Sequence, residues 1–503
     1  MSHAFHSTRP IEFDAVIVGA GPAGCAAARQ LALSGHSVAL IGRSPGRRTL
    51  AESLPPSCRK LFERLGIRES IDRAGFIRAT GNTVQWADQA RRVERFDGDR
   101  YGYQVPRDRF DALLLDAARH AGVTVCENAV VRDVARAGNE WRVTHYRTLA
   151  NSASRAEARG TWLLDCSGRS GVVARRGWRR PEHAARTTAV VGIWDNTGGW
   201  LAEDVTHTLV ESYDGGWAWS VPVSATRRYV TVMLDPTTTE LPARTQLGEA
   251  YQSELARTRM LRDLVASATL IEPPWGCDAS PYSAHRVAEH GVLLVGDAAS
   301  FVDPLSSFGV KKALASAWLA SIAVHTSLLD SSMASAALAL YAERERAMYE
   351  HLQRQSASLS REAAGAHETE FWRGRTDLPF EQPPDDFDLG ALRADPRVLG
   401  AFEQLKAQAS VKLRPSAALQ VVERATVRGG RVVLDRHLVG QQVPQGVRYC
   451  RNVDLVVMAQ LAPRYEQVPD LYDAYNRAAP PAPLPDFLGA LSTMIALDML
   501  SLA

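Results

Sequence analysis

Apolar and polar positions follow three patterns along this chain: fully apolar runs and alternating stretches predict strands, and helical periodicity predicts helices. Fully apolar runs at Val16–Val18 and Val292–Val295 predict buried strands, because no position is left for a solvent-facing side chain. The region from residue 187 to 235 alternates apolar and β-branched residues with polar ones. It predicts an antiparallel sheet built from Val190–Trp194, His207–Ser212 and Tyr229–Leu234. Helical patterns cover residues 311–330 and 334–365.

A glycine-rich turn follows the first buried strand, in the segment VIVGAGPAG. Gly19 permits a tight turn, Gly21 lets the backbone approach a pyrophosphate, and Gly24 lets the next helix pack closely on the strand. The start of that helix offers free N–H groups and the positive end of the helix dipole to phosphates. Strand, spacing and helix together predict a dinucleotide site.

A second buried strand followed by a turn and a helix occurs much later in the chain, in the segment GVLLVGDAASFVDPLSSFGV. Asp297 follows the second buried strand, where its carboxylate can accept a hydrogen bond from a ribityl hydroxyl. The chain turns after Pro304, and Gly309 and Val310 begin a helix whose N-terminus favours the negative charge of a reduced flavin. The two segments together predict FAD as the cofactor.

The end of the second strand departs from the usual dinucleotide pattern. An acidic residue commonly stands there to bond the adenosine ribose, but VALIGRSP has Gly42 followed by Arg43. We expect Arg43 to stack on the adenine or to contact phosphate. The chain has no second GxGxxG, so reduced flavin is expected from a separate flavin reductase or from transiently bound NAD(P)H.

These segments resemble the FAD-dependent monooxygenase superfamily, which includes aromatic hydroxylases, geranylgeranyl reductases and tryptophan halogenases. VPRDRFDALLLDAA is similar to the family segment in which an arginine, here Arg107, reaches the FAD phosphates, and LLDCSGRSG is similar to its turn beside the adenine nucleotide. The resemblance implies an α/β fold in which a Rossmann-type FAD-binding domain carries an antiparallel-sheet substrate domain, with O₂ as co-substrate.

The predicted domains are discontinuous. We place the FAD-binding domain at residues 10–75, 100–180 and 285–335, the substrate domain at 76–99 and 181–284, and a helical extension at 336–372. A stretch rich in Pro, Asp and Gly predicts a linker over 373–395.

Residues 396–503 are predicted to form a small C-terminal α+β module. A hairpin turning at Gly429-Gly430 is followed by helices near 453–462, 469–478 and 486–502. This order resembles the winged-helix-like leader-peptide recognition domains of peptide-modifying enzymes. A structural cap or a dimerisation element is the alternative.

A further segment points to the tryptophan-halogenase-like branch of the superfamily. GGWAWSVPV resembles the branch's WxWxIP signature, and its two indoles lie on one side of a strand. The resemblance implies a substrate pocket walled by Trp217, Trp219, Ser306 and Phe308. Glu52, on a loop expected to face the flavin ring, is the candidate proton-handling residue; a surface glutamate is the alternative.

Two departures count against halogenation. The lysine that carries the hypohalous species in halogenases is replaced by Asn82, at the start of the predicted strand Asn82–Trp86, and an amide cannot form a chloramine. In the run after the Pro-Leu dipeptide, Ser306 stands where the family's glutamate falls and Phe308 where its threonine falls.

The segments AESLPPS and DPLSSFGVKKAL resemble a bacterial subgroup that oxygenates tryptophan within a partner polypeptide and so builds quinone cofactors. We therefore predict hydroxylation of an aromatic side chain, tryptophan in a peptide or small protein. The alternatives are a halogenase of an indole, pyrrole or phenol, a flavin reductase similar to geranylgeranyl reductases, and a non-catalytic maturation flavoprotein.

Composition narrows the partners and the compartment. A net charge of +2 with 23% charged residues indicates neither a nucleic-acid binder nor an acidic tail. The six cysteines show no CxxC or zinc spacing, so no metal site is predicted. The first ten residues lack the apolar core of a signal peptide, and we saw no apolar run of the ~20 residues that span a bilayer. We expect a cytoplasmic protein without a membrane span.

Overall fold

The computed structural model describes residues 11–43, 49–87, 89–149, 152–179, 186–237, 247–376, 395–408 and 410–502. The chain divides into two compact units, residues 1–380 and 381–503. Most of the predicted linker, residues 377–394, lies outside the described residues. Its predicted start is structured, because a short helix runs to Arg373 and Arg375 donates a hydrogen bond to the side chain of Thr187.

The helices described in the first unit are α1 (Pro22–Leu33), α2 (Cys58–Arg64), α3 (Arg68–Arg73), α4 (Arg107–His120), α5 (Leu247–Arg257), α6 (Met260–Val265), α7 (Gly309–Leu329), α8 (Ala334–Ala366) and α9 (Glu370–Arg373). Its strands are β1 (Ile11–Val18), β2 (Val38–Ile41), β3 (Ala51–Leu54), β4 (Ile77–Ala79), β5 (Gly81–Gln85), β6 (Arg92–Arg95), β7 (Gly102–Pro106), β8 (Thr124–Cys126), β9 (Ala129–Ala137), β10 (Glu140–Leu149), β11 (Ser152–Asp165), β12 (Thr188–Asp195), β13 (Thr208–Tyr213), β14 (Gly216–Pro222), β15 (Arg227–Leu234), β16 (Thr269–Leu270), β17 (Trp275–Asp278), β18 (Tyr282–Ser283), β19 (Ala288–Glu289), β20 (Val292–Leu294) and β21 (Ser300–Phe301).

A mainly parallel sheet carries the two predicted dinucleotide segments. Its strand order is β19–β20–β11–β1–β2–β8, in which β1 runs parallel to β2 and β11, and β20 runs parallel to β11. The predicted buried strands are fully covered, and Val16, Ile17 and Leu293 are 0% exposed. Helices α1 and α7 pack against each other beside this sheet. The predicted Rossmann-type domain is confirmed.

A second sheet bears the predicted tryptophan pair. Its strand order is β16–β12–β15–β14–β13–β5–β6, and β17 also pairs with β12. Neighbouring strands are antiparallel except β13 and β5, which run parallel and are joined by more than a hundred residues of chain. The predicted sheet of the substrate domain is confirmed with that one difference.

A small antiparallel sheet, β3–β7–β4, also belongs to the first unit. Glu52 lies on β3, opposite Val105 of β7. The predicted loop at Glu52 is therefore wrong, because backbone pairing with a strand some fifty positions away makes this segment extended.

Helix α7 is long and apolar enough to cross a membrane by length and composition, the one such helix in the described ranges. No uninterrupted apolar run marks this helix in the sequence, because Ser, Thr and His fall within it, but its average hydropathy stays high. In the structure 67% of its apolar window is buried inside the protein, as in a core helix.

The second unit contains helices α10 (Pro396–Ala407), α11 (Leu455–Leu461), α12 (Val468–Ala478) and α13 (Leu484–Ala496). Its strands are β22 (Leu413–Pro415), β23 (Gln420–Arg428), β24 (Arg431–Gly440), β25 (Val443–Val447), β26 (Tyr449–Cys450), β27 (Val453–Asp454) and β28 (Leu500–Leu502). Its own apolar core includes Leu438, Met458, Phe487 and Leu491, all 0% exposed.

This unit differs from the predicted hairpin with three helices. The hairpin at Gly429-Gly430 is present, but α10 precedes it and β25 adds a third strand. The predicted helix 486–502 stops at Ala496, because Asp498 adopts a left-handed φ of 53° and the last residues pair with β22. Pairing between Leu413 and Leu502 joins positions too far apart for a local pattern to predict.

Candidate active site

A cavity of about 630 Å³ runs through the first unit. Its wall combines the glycine turn after β1, the carboxyl ends of the parallel strands and part of the tryptophan-bearing sheet. The charged residues of the wall are Arg43, Glu52, Arg107, Asp111, Arg132, Arg169, Asp278 and Asp297. Ligand sites in open α/β sheets lie at this end of the strands.

The three glycines of the first turn have distinct roles. Gly19 has a φ of +108°, which L side chains rarely adopt. A Cβ at Gly24 would overlap the carbonyl oxygen of Gly19, so this glycine allows α1 to pack on the turn and does not itself line the cavity. Gly21 lines the cavity, and a Cβ built there meets nothing within 4 Å. A side chain at Gly21 would fill space that the turn leaves for a pyrophosphate, so the turn fits FAD.

The missing acid after β2 has a steric reason. A Cβ at Gly42 would lie 2.5 Å from the Cβ and 2.6 Å from the backbone nitrogen of Ala20, in the glycine turn. No side chain fits there without displacing that turn. Arg43 follows and lines the cavity. Its contact with the adenine or a phosphate stays a prediction.

A turn after β11 supplies a wall that the sequence analysis located without naming its residues. The fully buried carboxylate of Asp165 accepts hydrogen bonds from the Val173 nitrogen at 2.7 Å and the Ser167 hydroxyl at 2.5 Å. These bonds hold the turn so that Arg169 reaches the cavity, where it forms an ion pair of 2.7 Å with Asp278. Neither Arg169 nor Asp278 was predicted; the quoted LLDCSGRSG segment was the available signal for the first.

Arg107 and Glu52 face each other in the cavity wall. Arg107 begins α4 and donates to both carboxylate oxygens of Asp111 at 2.9 Å, and its Nη1 lies 3.3 Å from Glu52 Oε1. Burial raises the pKa of Glu52, although the charge of Arg107 opposes this. Glu52 is therefore neither a free surface glutamate nor a simple salt-bridge partner: it can hold a proton beside the cavity.

The second predicted segment forms the opposite wall. Asp297 stands in the short turn Gly296–Ala298 directly after β20 and lines the cavity. The hydroxyl of Tyr282 donates to the Asp297 carbonyl at 2.6 Å, which fixes the turn. Pro304, Gly309 and Val310 also line the cavity, and α7 begins at Gly309, so its N-terminus faces the cavity.

The two indoles of β14 stack on one another. Their ring centroids are 4.7 Å apart at an interplanar angle of 26°. Trp219 lines the cavity, whereas Trp217 lies behind it, 3% exposed, in an apolar cluster with Trp86 and Trp372. Only one of the two predicted pocket tryptophans therefore forms part of the wall.

The structure does not place the other predicted pocket residues in the cavity wall. Phe308 is the N-cap residue of α7 and packs with the cluster of Val302 and Leu352. The Lys311 ammonium lies 4.3 Å from the centre of its ring. Phe308 does not line the cavity. The side chain of Ser306 lies outside the described part of the structure. Asn82 pairs with Thr208 on the tryptophan-bearing sheet but does not line the cavity.

Lysines are scarce in this protein and absent from the cavity wall. The sequence holds five, Lys60, Lys311, Lys312, Lys406 and Lys412. Among the described residues of the wall there is no lysine. Arginine supplies the cationic groups of the wall as far as the structure describes it, and arginine stays protonated at every accessible pH.

Comparison with known proteins places this geometry among flavoproteins. The tryptophan 2-halogenase of Chondromyces crocatus is 29% identical over 335 residues, which cover 64% of this chain and 63% of the relative, so this chain spans less than two thirds of that relative. The flavin-dependent halogenase CmlS shares the fold with a TM-score of 0.75 and 22% identity, covering 99% of this chain and 96% of its own.

The peptidyl tryptophan dihydroxylase QhpG, essential for tryptophylquinone cofactor biogenesis, also shares the fold, with a TM-score of 0.68, 22% identity and coverage of 97% of this chain and 99% of its own. The sequence model of the FAD-binding domain matches residues 12–359, which include the glycine turn, Arg107 and the Asp297 turn. With the open face at Gly21 and the ordered wall segments, the match shows FAD to be the cofactor. The chain belongs to the FAD-binding domain family.

Proposed function

We propose that this protein is an FAD-dependent monooxygenase that hydroxylates an aromatic ring, with the tryptophan side chain of a peptide or small protein as its substrate. The observation that carries the choice of hydroxylation is the absence of lysine from the described cavity wall, together with Asn82 at the position where halogenases carry their lysine. An amide has no basic nitrogen on which a halogen could be carried.

Bound FAD supplies the reduced flavin that activates O₂. The chain's own contribution is to shape and dry the site around it. Trp219, Ala189 and Phe301 give the wall an apolar surface, which excludes water from the reacting centre. An indole face such as that of Trp219 also favours stacking with an aromatic substrate.

Glu52 is the proposed proton-handling residue. Its raised pKa lets Oε1 or Oε2 hold a proton, and the Arg107 guanidinium beside it stabilises the carboxylate once that proton leaves. Asp111 holds Arg107 from the other side, so the Arg107 charge stays fixed while Glu52 changes protonation.

Halogenation is the second candidate, and the comparisons favour it: the tryptophan 2-halogenase and the carrier-bound pyrrole chlorinase of Pseudomonas fluorescens are 29% and 26% identical to this chain. For this chain the chemistry would need an amine that reaches the substrate. Lys312 is 2% exposed, and Lys311 packs over the Phe308 ring, so neither presents its ammonium to the cavity wall.

Isotope labelling with ¹⁸O₂ tests the proposed hydroxylation. The purified protein with reduced FAD, a tryptophan-containing polypeptide and ¹⁸O₂ should yield a product that carries ¹⁸O on the aromatic ring. A product reduced at a double bond without O₂ consumption would identify a flavin reductase. Binding of the polypeptide without turnover would identify a non-catalytic maturation flavoprotein.

We further propose that the second unit recognises the polypeptide. Strand β23 lies at the edge of its three-stranded sheet, since among the described strands it pairs only with β24. Val421 on this edge is 50% exposed. An edge strand can accept an extended peptide as an added strand, with main-chain bonds giving affinity and side chains giving selectivity. The QhpG likeness extends over 97% of this chain and the CmlS likeness over 99%, so the presence of the second unit does not separate the two reactions.

Full-length variants test this role. Val421→Lys should raise KM for the polypeptide several-fold and leave KM for free tryptophan unchanged, because the charge disrupts an exposed apolar position of the second unit, whereas the FAD turn belongs to the first unit. Leu399→Lys, at a 55% exposed position on α10, is the matched control and should change neither. Equal effects of both substitutions on the polypeptide would contradict recognition at the β23 edge.

A further inference from the structure

Lys312 is a buried cation beside the flavin cavity that the proposed reaction does not use. It lies in the first turn of α7 and is 2% exposed. Its Nζ donates to the Gly296 carbonyl at 3.0 Å and to the Ser300 carbonyl at 2.6 Å, and lies 3.9 Å from Asp297 Oδ1. One ammonium therefore ties both ends of the turn that carries Asp297 into the cavity.

The same turn is held from other directions. The Ser316 hydroxyl accepts from the Gly296 nitrogen at 2.9 Å and contacts the Tyr341 hydroxyl at 3.0 Å, and Tyr341 donates to the Leu294 carbonyl at 2.6 Å. These contacts are uncharged. Lys312 alone among them adds a full positive charge next to Asp297.

A buried charge is costly unless it is compensated. The two carbonyls and Asp297 compensate the Lys312 ammonium on the cavity side. Glu345 of α8, 6% exposed, interacts with it electrostatically from the core side, and burial raises the pKa of that glutamate. An apolar residue in this space would not incur the desolvation cost of an ammonium, so we expect the charge itself to have a function.

We propose that Lys312 is a positioning residue for the flavin: its ammonium holds the Asp297 turn against the cavity and adds a buried positive charge beside Asp297. The helix N-terminus already favours a negative group at the wall, and Lys312 lies in the same turn as Gly309 and Val310. Both contributions favour the anionic reduced flavin over the oxidised form. The inference rests on FAD binding and not on the reaction proposed above.

Three variants separate this role from simple packing. Lys312→Met removes the charge and keeps an unbranched apolar side chain, Lys312→Arg keeps the charge and its donors, and Lys311→Met is the control at the neighbouring lysine, which does not contact the turn. The readouts are the Kd of oxidised FAD, the flavin midpoint potential and the thermal unfolding of the apoprotein.

Lys312→Met should bind oxidised FAD about tenfold more weakly and reduced FAD about a further tenfold more weakly, which lowers the midpoint potential by about 30 mV for two electrons. Lys312→Arg should retain most of the FAD affinity and most of the midpoint potential of the native protein. Lys311→Met should change neither of them, because its ammonium lies over the Phe308 ring. If Lys312→Met does not fold, the double variant Lys312→Met/Glu345→Gln takes its place in the same comparison. The second substitution removes the buried acid that faces Lys312. An unchanged midpoint potential, or a loss that Lys312→Arg does not restore, would overturn the proposal.

Discussion

The indole rings of Trp217 and Trp219 stack with their centroids 4.7 Å apart, yet only Trp219 reaches the cavity. The spacing of two residues places both rings on one face of β14. The cluster with Trp86 and Trp372 then covers Trp217 completely, so the pair divides into a supporting ring and a wall ring.

This division predicts unequal effects of truncation. Trp217→Ala should cost about 3–5 kcal/mol of unfolding free energy, as expected for a buried tryptophan in a packed core. Trp219→Ala should cost a smaller amount, about 1–2 kcal/mol, because its ring is only partly buried, and it should lower turnover more. Denaturant unfolding of both apoproteins and steady-state rates check the order; the reverse order of stabilities would show that Trp219 is the structural ring.

The glycine turn gives a second prediction. Gly21→Val should weaken FAD binding about 100-fold, or about 2.8 kcal/mol, because the side chain enters the open space beside the turn. Gly365→Val, at another glycine with nothing within 4 Å, is the control and should leave the FAD affinity unchanged. Flavin fluorescence titration measures both, and full FAD binding by Gly21→Val would show that the pyrophosphate lies elsewhere.

The absence of an acidic residue at the end of β2 gives a third prediction. Restoring the usual acid by Gly42→Asp should not improve FAD binding and should destabilise the protein by about 1–3 kcal/mol, since the new Cβ would press on Ala20. Thermal unfolding with and without FAD measures the effect. A tighter FAD complex without loss of stability would contradict the steric reason given for Gly42.

Glu52 predicts a pH dependence. Its pKa is raised in the folded protein by burial, so the folded state binds this proton more tightly than the unfolded state does. The stabilising contribution is complete below the unfolded pKa and is lost as the pH rises through the folded pKa. Glu52→Gln should therefore gain stability relative to the native apoprotein as the pH rises through that window. Parallel stability curves for the two proteins would contradict the raised pKa.

The elements set by local pattern were predictable, and relations between distant segments were not. The glycine turn and the start of α7 at Gly309 follow from spacing and chain order. The ion pair of Arg169 with Asp278 and the placement of Lys312 under the Asp297 turn depend on how strands and helices meet across the fold. The sequence position of Phe308 predicts a place in the pocket wall, but in the structure its ring packs against the cluster that contains Val302.

The most direct test of the proposed hydroxylation lets oxygenation and halogenation compete in one reaction. The native protein receives reduced FAD, O₂, excess bromide and a tryptophan-containing polypeptide, and the products are analysed by mass spectrometry. We expect the native protein to add one oxygen atom to the aromatic ring and to give no bromine isotope doublet. A brominated native product without an oxygenated one would contradict it.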